Sequence, residues 1–348
     1  MQIWLTLANG QQYSGMVANY NSQDINGELV FNTGMTGYED TLTDPSYAGQ
    51  ILVFTYPLIG NYGVRLQENL ESDKIHVKAI ICNQIVDNQE HHQAITSFID
   101  WLKKHDIPVI TGIDTRQLTR DLREDGTMDC VISENKNTLP KLSGKHEMAG
   151  TKEIIYHGNG KHKIILLDCG VKKSIIRYLL NFDVSIKQVP YDYDYSNEDY
   201  AGILLSNGPG DPEDYGKSIT VLEKTLASNK PIFGICLGSQ LLGLASGAST
   251  YKLKFGHRGQ NQPCQDTNTL KCYLTAQNHN YALEEKSIAS DWSISFKHLH
   301  DGSVAGISHC DKPYSAVQFH PEAAAGPNDT AFLFENFFNQ IKIQGLVT

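Results

Sequence analysis

The chain has 348 residues, more than one typical domain and enough for two, each able to bury a core. A formal net charge of -10, without a long block of like charge, argues against a general nucleic-acid binder and against an interaction tail. Seven cysteines, odd in number, scattered and without a C-x-x-C pair, argue against a disulfide framework and a zinc site.

The opening residues, MQIWLTLANG, lack the basic start and cleavage site of a signal peptide, so the expectation is a soluble, cytoplasmic chain. Ile3 to Leu7 and Gln12 to Val17 flank Asn9-Gly10, a hairpin signal. Gln50 to Tyr56 reads as a buried strand. Ile95, Phe98, Ile99 and Leu102 recur at helical spacing, which predicts an amphipathic helix over Ala94 to His105. Pro108 to Ile113 reads as a strand, and Asp114 or Thr115 can cap a helix carrying Leu118 and Leu122. These elements make residues 1–133 a mixed α/β domain. Residues 134–162, rich in Lys, Gly, Asn and His, read as a connector with room for one short strand.

From Lys163 the pattern is βαβ, and residues 163–348 form the second domain. Strands are expected at Ile164 to Asp168, Val184 to Val189 and Ile203 to Leu205, with helices at Lys172 to Leu180 and around Ser218 to Ala227. Such alternation implies a mostly parallel sheet flanked by helices, with sites at the C-terminal ends of its strands. The loop Asn207-Gly208-Pro209-Gly210-Asp211-Pro212 falls there. So does Gly234-Ile235-Cys236-Leu237-Gly238, at the end of an apolar run and before the helix-prone Leu241 to Ala245. The uncharged stretch between Lys230 and Lys252 holds glycines 234, 238, 243 and 247, so it reads as a buried strand-helix unit rather than a membrane span.

Strand, sharp turn and helix with a reactive side chain at the apex is the layout of a nucleophile elbow. A thiol there lies at a helix N-terminus, where the dipole favours thiolate. A cysteine nucleophile needs a base, and the base an orienting group. Gln318-Phe319-His320-Pro321-Glu322 supplies both: His320 to move the proton, Glu322 to hold the imidazole. Taken singly, each piece has a plainer reading. A lone cysteine is usually a small buried hydrophobe, and NGPGDP alone is a turn. Their combination in one α/β domain is far more specific.

At this point residues 163 to 343 resemble a class I glutamine amidotransferase domain, whose recurring segments are SNGPGDP, GICLG-x-Q and HPE. The resemblance implies a thiolate attacking the side-chain amide of L-glutamine, a glutamyl thioester, and an oxyanion hole from the N–H groups of Gly208 and Leu237. The first half resembles the small-subunit family of carbamoyl phosphate synthetase, through Phe31-Asn32-Thr33, Met35-Thr36-Gly37-Tyr38-Glu39, Leu42 to Tyr47, Tyr56 to Asn61 and Gly112 to Arg120. Lys254 to Gly259 and Gln277-Asn278-His279-Asn280-Tyr281 match as well.

Motif by motif, the resemblance implies glutamine contacts at Ser46, Gly208, Gly210, Leu237, Gln240, Asn278, Asn280 and Tyr281. It puts Lys172, in Asp168-x-Gly170-x-Lys172, near the site or an interface. Two positions depart from the family: Ser239 where histidine is frequent, and Asn280 where glycine is usual. Asn tolerates positive φ better than most residues, so a backbone contact there can survive. His279 has no carboxylate two residues on and is not the base. The implied partner is a large synthetase subunit holding ATP and Mg²⁺, since this chain has no G-x-x-x-x-G-K-[ST] phosphate loop. A higher oligomer of heterodimers is left open, and no metal, cofactor, nucleic acid or membrane is expected on this chain. The rival readings are another class I glutaminase, a non-catalytic scaffold and a thiol peptidase. The long N-terminal match disfavours the first, and the intact Cys236, His320 and Glu322 set disfavours the second.

Overall fold

The computed structural model describes residues 1–20, 23–65, 70–87, 91–142 and 148–347, the last three by backbone only. Residues 143–147 of the expected connector lie outside the described residues. The chain divides into two units, Met1–Glu147 with Lys254–Gly259, and Met148–Leu253 with Gln260–Thr348.

The first unit is built on a closed barrel. Its strands, in order around the barrel, are Gln2–Leu7, Gln12–Asn19, Val109–Thr111, Ala79–Ile81, Gln50–Phe54, Ile25–Asn32 and Met128–Ser133. The first two form the hairpin expected at Asn9-Gly10, with Gly10 at φ 89°. Period-2 alternation divides the apolar side chains between two faces. Leu29, Phe31, Ile51, Val53 and Ile81 pack with Leu118 and Leu122 of the helix Thr115–Asp125. Val30, Leu52, Phe54 and Ile80 pack with Phe98, Trp101 and Leu102.

The helix expected over residues 94–105 is shorter, Phe98–Lys104. Ser97 takes the cap position, its hydroxyl accepting from the Asp100 N–H at 3.2 Å, and Ile95 is left 58 % exposed before it. The cap sets the start against the apolar spacing. The later helix starts where expected: Asp114 Oδ1 accepts from the Gln117 N–H at 2.9 Å.

The second unit carries a ten-stranded sheet in the order Ile155–His157, Val184–Pro190, His162–Asp168, Gly202–Leu205, Ile232–Ile235, Tyr314–Val317, Val304–His309, Trp292–His298, Thr250–Asp266 and Cys272–Leu283. From Val184–Pro190 to Tyr314–Val317 every neighbouring pair is parallel. Antiparallel strands extend this central block on both sides, the short strand of the connector among them. Central strands buried on both faces read as continuous apolar runs. Ile165, Leu167, Ile203 and Leu205 face Val221, Leu222, Leu241 and Leu242. Ile164, Leu166, Leu204 and Phe233 face Ile175, Leu179, Phe334 and Phe337. No helix among the described residues is long and apolar enough to cross a membrane.

Candidate active site

Cys236 follows the strand Ile232–Ile235 and directly precedes the helix Leu237–Ala245. Its backbone sits at φ 53° and ψ −105°, a region that a residue with a Cβ enters only under constraint. The constraint is visible on both sides. Cys236 N–H donates to the Val317 carbonyl at 2.8 Å, and Gly238 N–H donates to the Ser206 carbonyl at 3.0 Å. The turn is thus tied to the strand on either side of it. A Cβ at Gly234 would stand 2.6 Å from the Gly238 carbonyl oxygen, and one at Gly238 would stand 2.3 Å from the Leu205 carbonyl oxygen. Both glycines are there because backbone fills the space, which is the physical content of the Gly-x-Cys-x-Gly spacing.

The NGPGDP loop leaves the strand Gly202–Leu205, next to the nucleophile strand. A Cβ on Gly208 would meet the Cys169 carbonyl oxygen at 2.4 Å and Leu237 Cδ2 at 2.8 Å. Gly208 and Leu237 are therefore neighbours. Leu237 opens a helix, where first-turn N–H groups have no partner within the helix. Gly210 sits at φ 88°. The Tyr215 hydroxyl donates to the Pro209 carbonyl at 2.9 Å and pins the loop.

His320 and Glu322 come just after the strand Tyr314–Val317, the other neighbour of the nucleophile strand. His320 N–H donates to the Ala276 carbonyl at 2.9 Å. His320 Nδ1 lies 2.6 Å from Glu322 Oε1. Lys172 Nζ lies 3.1 Å from the same oxygen and donates to the Ala323 carbonyl at 2.6 Å. Lys172, Cys236, His320 and Glu322 are each 2 % exposed. Burial alone would raise the Glu322 carboxyl, but the Lys172 ammonium and then the His320 ring outweigh it and hold it down to about 2. Burial would likewise lower the imidazole; the Glu322 carboxylate and then the Cys236 sulfur outweigh that and raise it to about 10. Both shifts favour one arrangement, a carboxylate between two cations. The Cys236 sulfur is felt at the ring by charge and by a loose hydrogen bond, yet Nε2 remains a buried nitrogen without a well-formed partner. Loose contacts of this kind are usual before substrate binds.

Lys172 reaches Glu322 from a turn that its own motif builds. Asp168 Oδ1 accepts from the Gly170 and Val171 N–H groups, both at 2.8 Å, and Lys172 N–H donates to Asn207 Oδ1 at 3.2 Å. The D-x-G-x-K and NGPGDP segments are thereby joined.

The strand Cys272–Leu283 supplies the other expected residues. The Cys236 thiol donates to the Asn278 carbonyl at 3.6 Å. Gln240 Nε2 donates to the Tyr281 carbonyl at 2.7 Å and to Gln318 Oε1 at 3.1 Å. Both of its amide hydrogens are thus engaged within the protein. His279 is held by both ring nitrogens, Nδ1 to the Tyr281 carbonyl at 2.8 Å and Nε2 to Gln277 Oε1 at 2.9 Å. Asn280 lies in this strand with ordinary negative φ, so it needs no left-handed tolerance at a place where glycine is usual. Ser239 is buried in the first turn of the helix, its N–H donating to the Cys236 carbonyl at 3.0 Å. Ser46 belongs to the first unit, in the 3-10 turn Pro45–Tyr47, where its N–H donates to Asp44 Oδ1 at 2.9 Å.

One residue at the nucleophile escaped the sequence reading. Gln318 Nε2 donates to Cys236 Sγ at 3.7 Å.

Comparison with known proteins matches two families along the chain. The family described as glutamine amidotransferase class-I matches residues 165–340, and the one described as carbamoyl-phosphate synthase small chain, CPSase domain, matches residues 5–132. The arginine-specific small chain of carbamoyl phosphate synthase from Halalkalibacterium halodurans is 41 % identical over 99 % of this chain and 98 % of that protein. The carbamoyl phosphate synthase small chain of Caldanaerobacter subterraneus is 42 % identical over 99 % of this chain and 97 % of that protein. Multifunctional protein pyr1-3 of Dictyostelium discoideum is 43 % identical over 97 % of this chain, which spans only 17 % of its length. The chain belongs to the carbamoyl phosphate synthase small-chain family and carries that family's class I glutamine amidotransferase domain.

Proposed function

We propose that the chain is the glutamine-hydrolysing subunit of a carbamoyl phosphate synthase. The Cys236 thiolate attacks the side-chain amide carbon of glutamine. The N–H groups of Gly208 and Leu237 receive the oxyanion, at a helix start where such charge is favoured. Collapse of the tetrahedral adduct breaks the C–N bond, and the His320 imidazolium gives its proton to the departing nitrogen, so ammonia leaves and a glutamyl thioester remains. Water then attacks the thioester while His320 takes its proton. Glutamate departs and the thiolate returns. Glu322 keeps the imidazole in one orientation throughout, and Lys172 keeps Glu322 ionised.

The observation that carries the reading is the buried run of charge from Lys172 through Glu322 to His320, ending at a strained cysteine. A scaffold has no use for such an arrangement. Ser46, Gly210, Gln240, Asn278, Asn280 and Tyr281 are assigned to glutamine on the strength of their motifs. The ammonia goes to a large subunit that holds ATP and Mg²⁺ and converts bicarbonate to carbamoyl phosphate, for arginine or pyrimidine synthesis. A cytoplasmic location comes with this reading, since glutamine and ATP are available there.

The test is Cys236→Ser, assayed with the large subunit. Glutamine-dependent carbamoyl phosphate synthesis disappears while ammonia-dependent synthesis continues. Retained glutamine use in that variant would sink the assignment.

A further inference from the structure

We propose that Gln318 acts directly on the nucleophile, its amide N–H stabilising the Cys236 thiolate, and that Gln240 is the positioning residue that turns this N–H toward the sulfur. The argument rests on the reading of Cys236 as the nucleophile and begins from a symmetry problem. A carboxamide presents two ends of nearly equal shape, one a donor and one an acceptor. Which end of Gln318 faces the sulfur is decided by its other partner.

The decision starts at a backbone carbonyl, which can only accept. The Tyr281 carbonyl oxygen lies 2.7 Å from the Gln240 amide, so that end of Gln240 must be Nε2. Nε2 carries a second hydrogen, aimed at the Gln318 carboxamide 3.1 Å away. The Gln318 atom that receives it must be Oε1. Its Nε2 is then the end that faces Cys236 Sγ, at 3.7 Å. Turning Gln318 over would set NH₂ against NH₂ at one end and oxygen against sulfur at the other. Gln240 and Gln318 are 3 % and 2 % exposed, so such mismatches would carry the cost of buried, unsatisfied polar groups. A fixed backbone group therefore sets the polarity of two side chains and, through them, the field at the sulfur.

The arrangement distinguishes the two protonation states of the thiol. As S–H, Cys236 donates to the Asn278 carbonyl at 3.6 Å. As S⁻ it has no hydrogen for that carbonyl, and the Gln318 N–H becomes its favourable neighbour. A donor to an anion is worth more than a donor to a neutral group, so Gln318 shifts the balance toward the reactive form.

The test reads the sulfur without glutamine. The full chain is treated with iodoacetamide across a pH series, and alkylation of the Cys236-bearing peptide is followed by mass spectrometry, so that the exposed Cys272 and Cys310 do not interfere. Gln318→Met keeps the length and removes the donor; the midpoint of its profile is expected to rise by about one pH unit, the worth of one charge-assisted hydrogen bond. Gln318→Glu still accepts from Gln240 but sets a carboxylate beside the sulfur, so its midpoint rises further. Gln240→Met leaves Gln318 free to turn over, and its midpoint moves in the same direction by less. A Gln318→Met profile that superimposes on the parent's, with the melting temperature unchanged, overturns the proposal. Should Gln318→Met not fold, Gln318→Glu decides, and an unmoved or lowered midpoint there overturns it. A shifted midpoint in a chain that never hydrolyses glutamine would count against the glutaminase reading alone. A flat result in an active glutaminase would count against this proposal alone.

Discussion

Lys172→Met removes one charge from the buried network while keeping most of the side chain's length and its apolar stem. In the folded chain Lys172 Nζ is 3.1 Å from Glu322 Oε1, with the two side chains 3 % and 0 % exposed. Coulomb attraction at that distance is about 5 kcal/mol at an effective dielectric near 20. Some of this returns, because a lysine no longer has to be desolvated, and His320 remains beside the carboxylate at 2.6 Å. Breaking a buried pair by deleting one partner costs about 3–5 kcal/mol, and the surviving imidazolium puts this case near the lower end, ~3 kcal/mol. For a unit of this size that is a fall in melting temperature of roughly 6–12 °C.

The loss has a pH signature with a definite sign. Glu322 is held down to about 2 in the folded chain, against about 4.3 when unfolded. Its contribution is fully present above the unfolded value and is lost as pH falls through the folded one. Lys172→Met moves the folded value back toward the ordinary range. The variant's deficit is therefore largest near neutrality and narrows as the pH drops below about 4. Melting curves of parent and variant at pH 7 and at about pH 2.5, between the unfolded value and the folded one, measure it. A deficit below about 1 kcal/mol at pH 7, the range of an exposed pair, refutes the reasoning, and so does one that fails to narrow in acid.

Three further outcomes follow from the same geometry. At Cys236, φ 53° and ψ −105° should make Cys236→Gly more stable than Cys236→Ala by about 1 kcal/mol, the reverse of the usual order, and equal unfolding midpoints would mean the turn is unstrained. Gly208→Ala drives a Cβ to 2.4 Å from the Cys169 carbonyl oxygen, so the loop must move; glutaminase kcat should fall roughly 10²-fold, an expectation abandoned if kcat stays within a factor of two or so. His320 is raised to about 10, above its unfolded value of about 6.5, so its contribution is full below about 6.5 and fades as pH rises through 10. Urea unfolding at pH 7 and pH 10 should show the parent's advantage over His320→Gln shrinking in alkali, and a constant gap would contradict it.

How far each feature could be read from the residues depends on whether backbone or distant side chains fix it. The elbow was legible because Gly234 and Gly238 are dictated by carbonyl oxygens at 2.6 and 2.3 Å, and only one residue type fits such a place. The Asn9-Gly10 hairpin and the Asp114 cap are legible for the same local reason. The barrel is not. Its closure pairs Gln12–Asn19 with Val109–Thr111 and Ile25–Asn32 with Met128–Ser133, and an alternating strand records which of its faces is apolar without recording its neighbour. A three-residue strand such as Ala79–Ile81 has no period to read at all. Within the site the division is the same. Cys236, His320 and Glu322 stand in short segments whose spacing expresses the chemistry. Lys172 could be placed only near the site, because the carboxylate it meets is 150 positions away. Gln318 stood two residues from the base and still went unread, since an amide has no fixed polarity until Gln240 and the Tyr281 carbonyl assign it one. Three-dimensional information was needed most where a side chain's chemistry is ambiguous on its own and a remote backbone group resolves it.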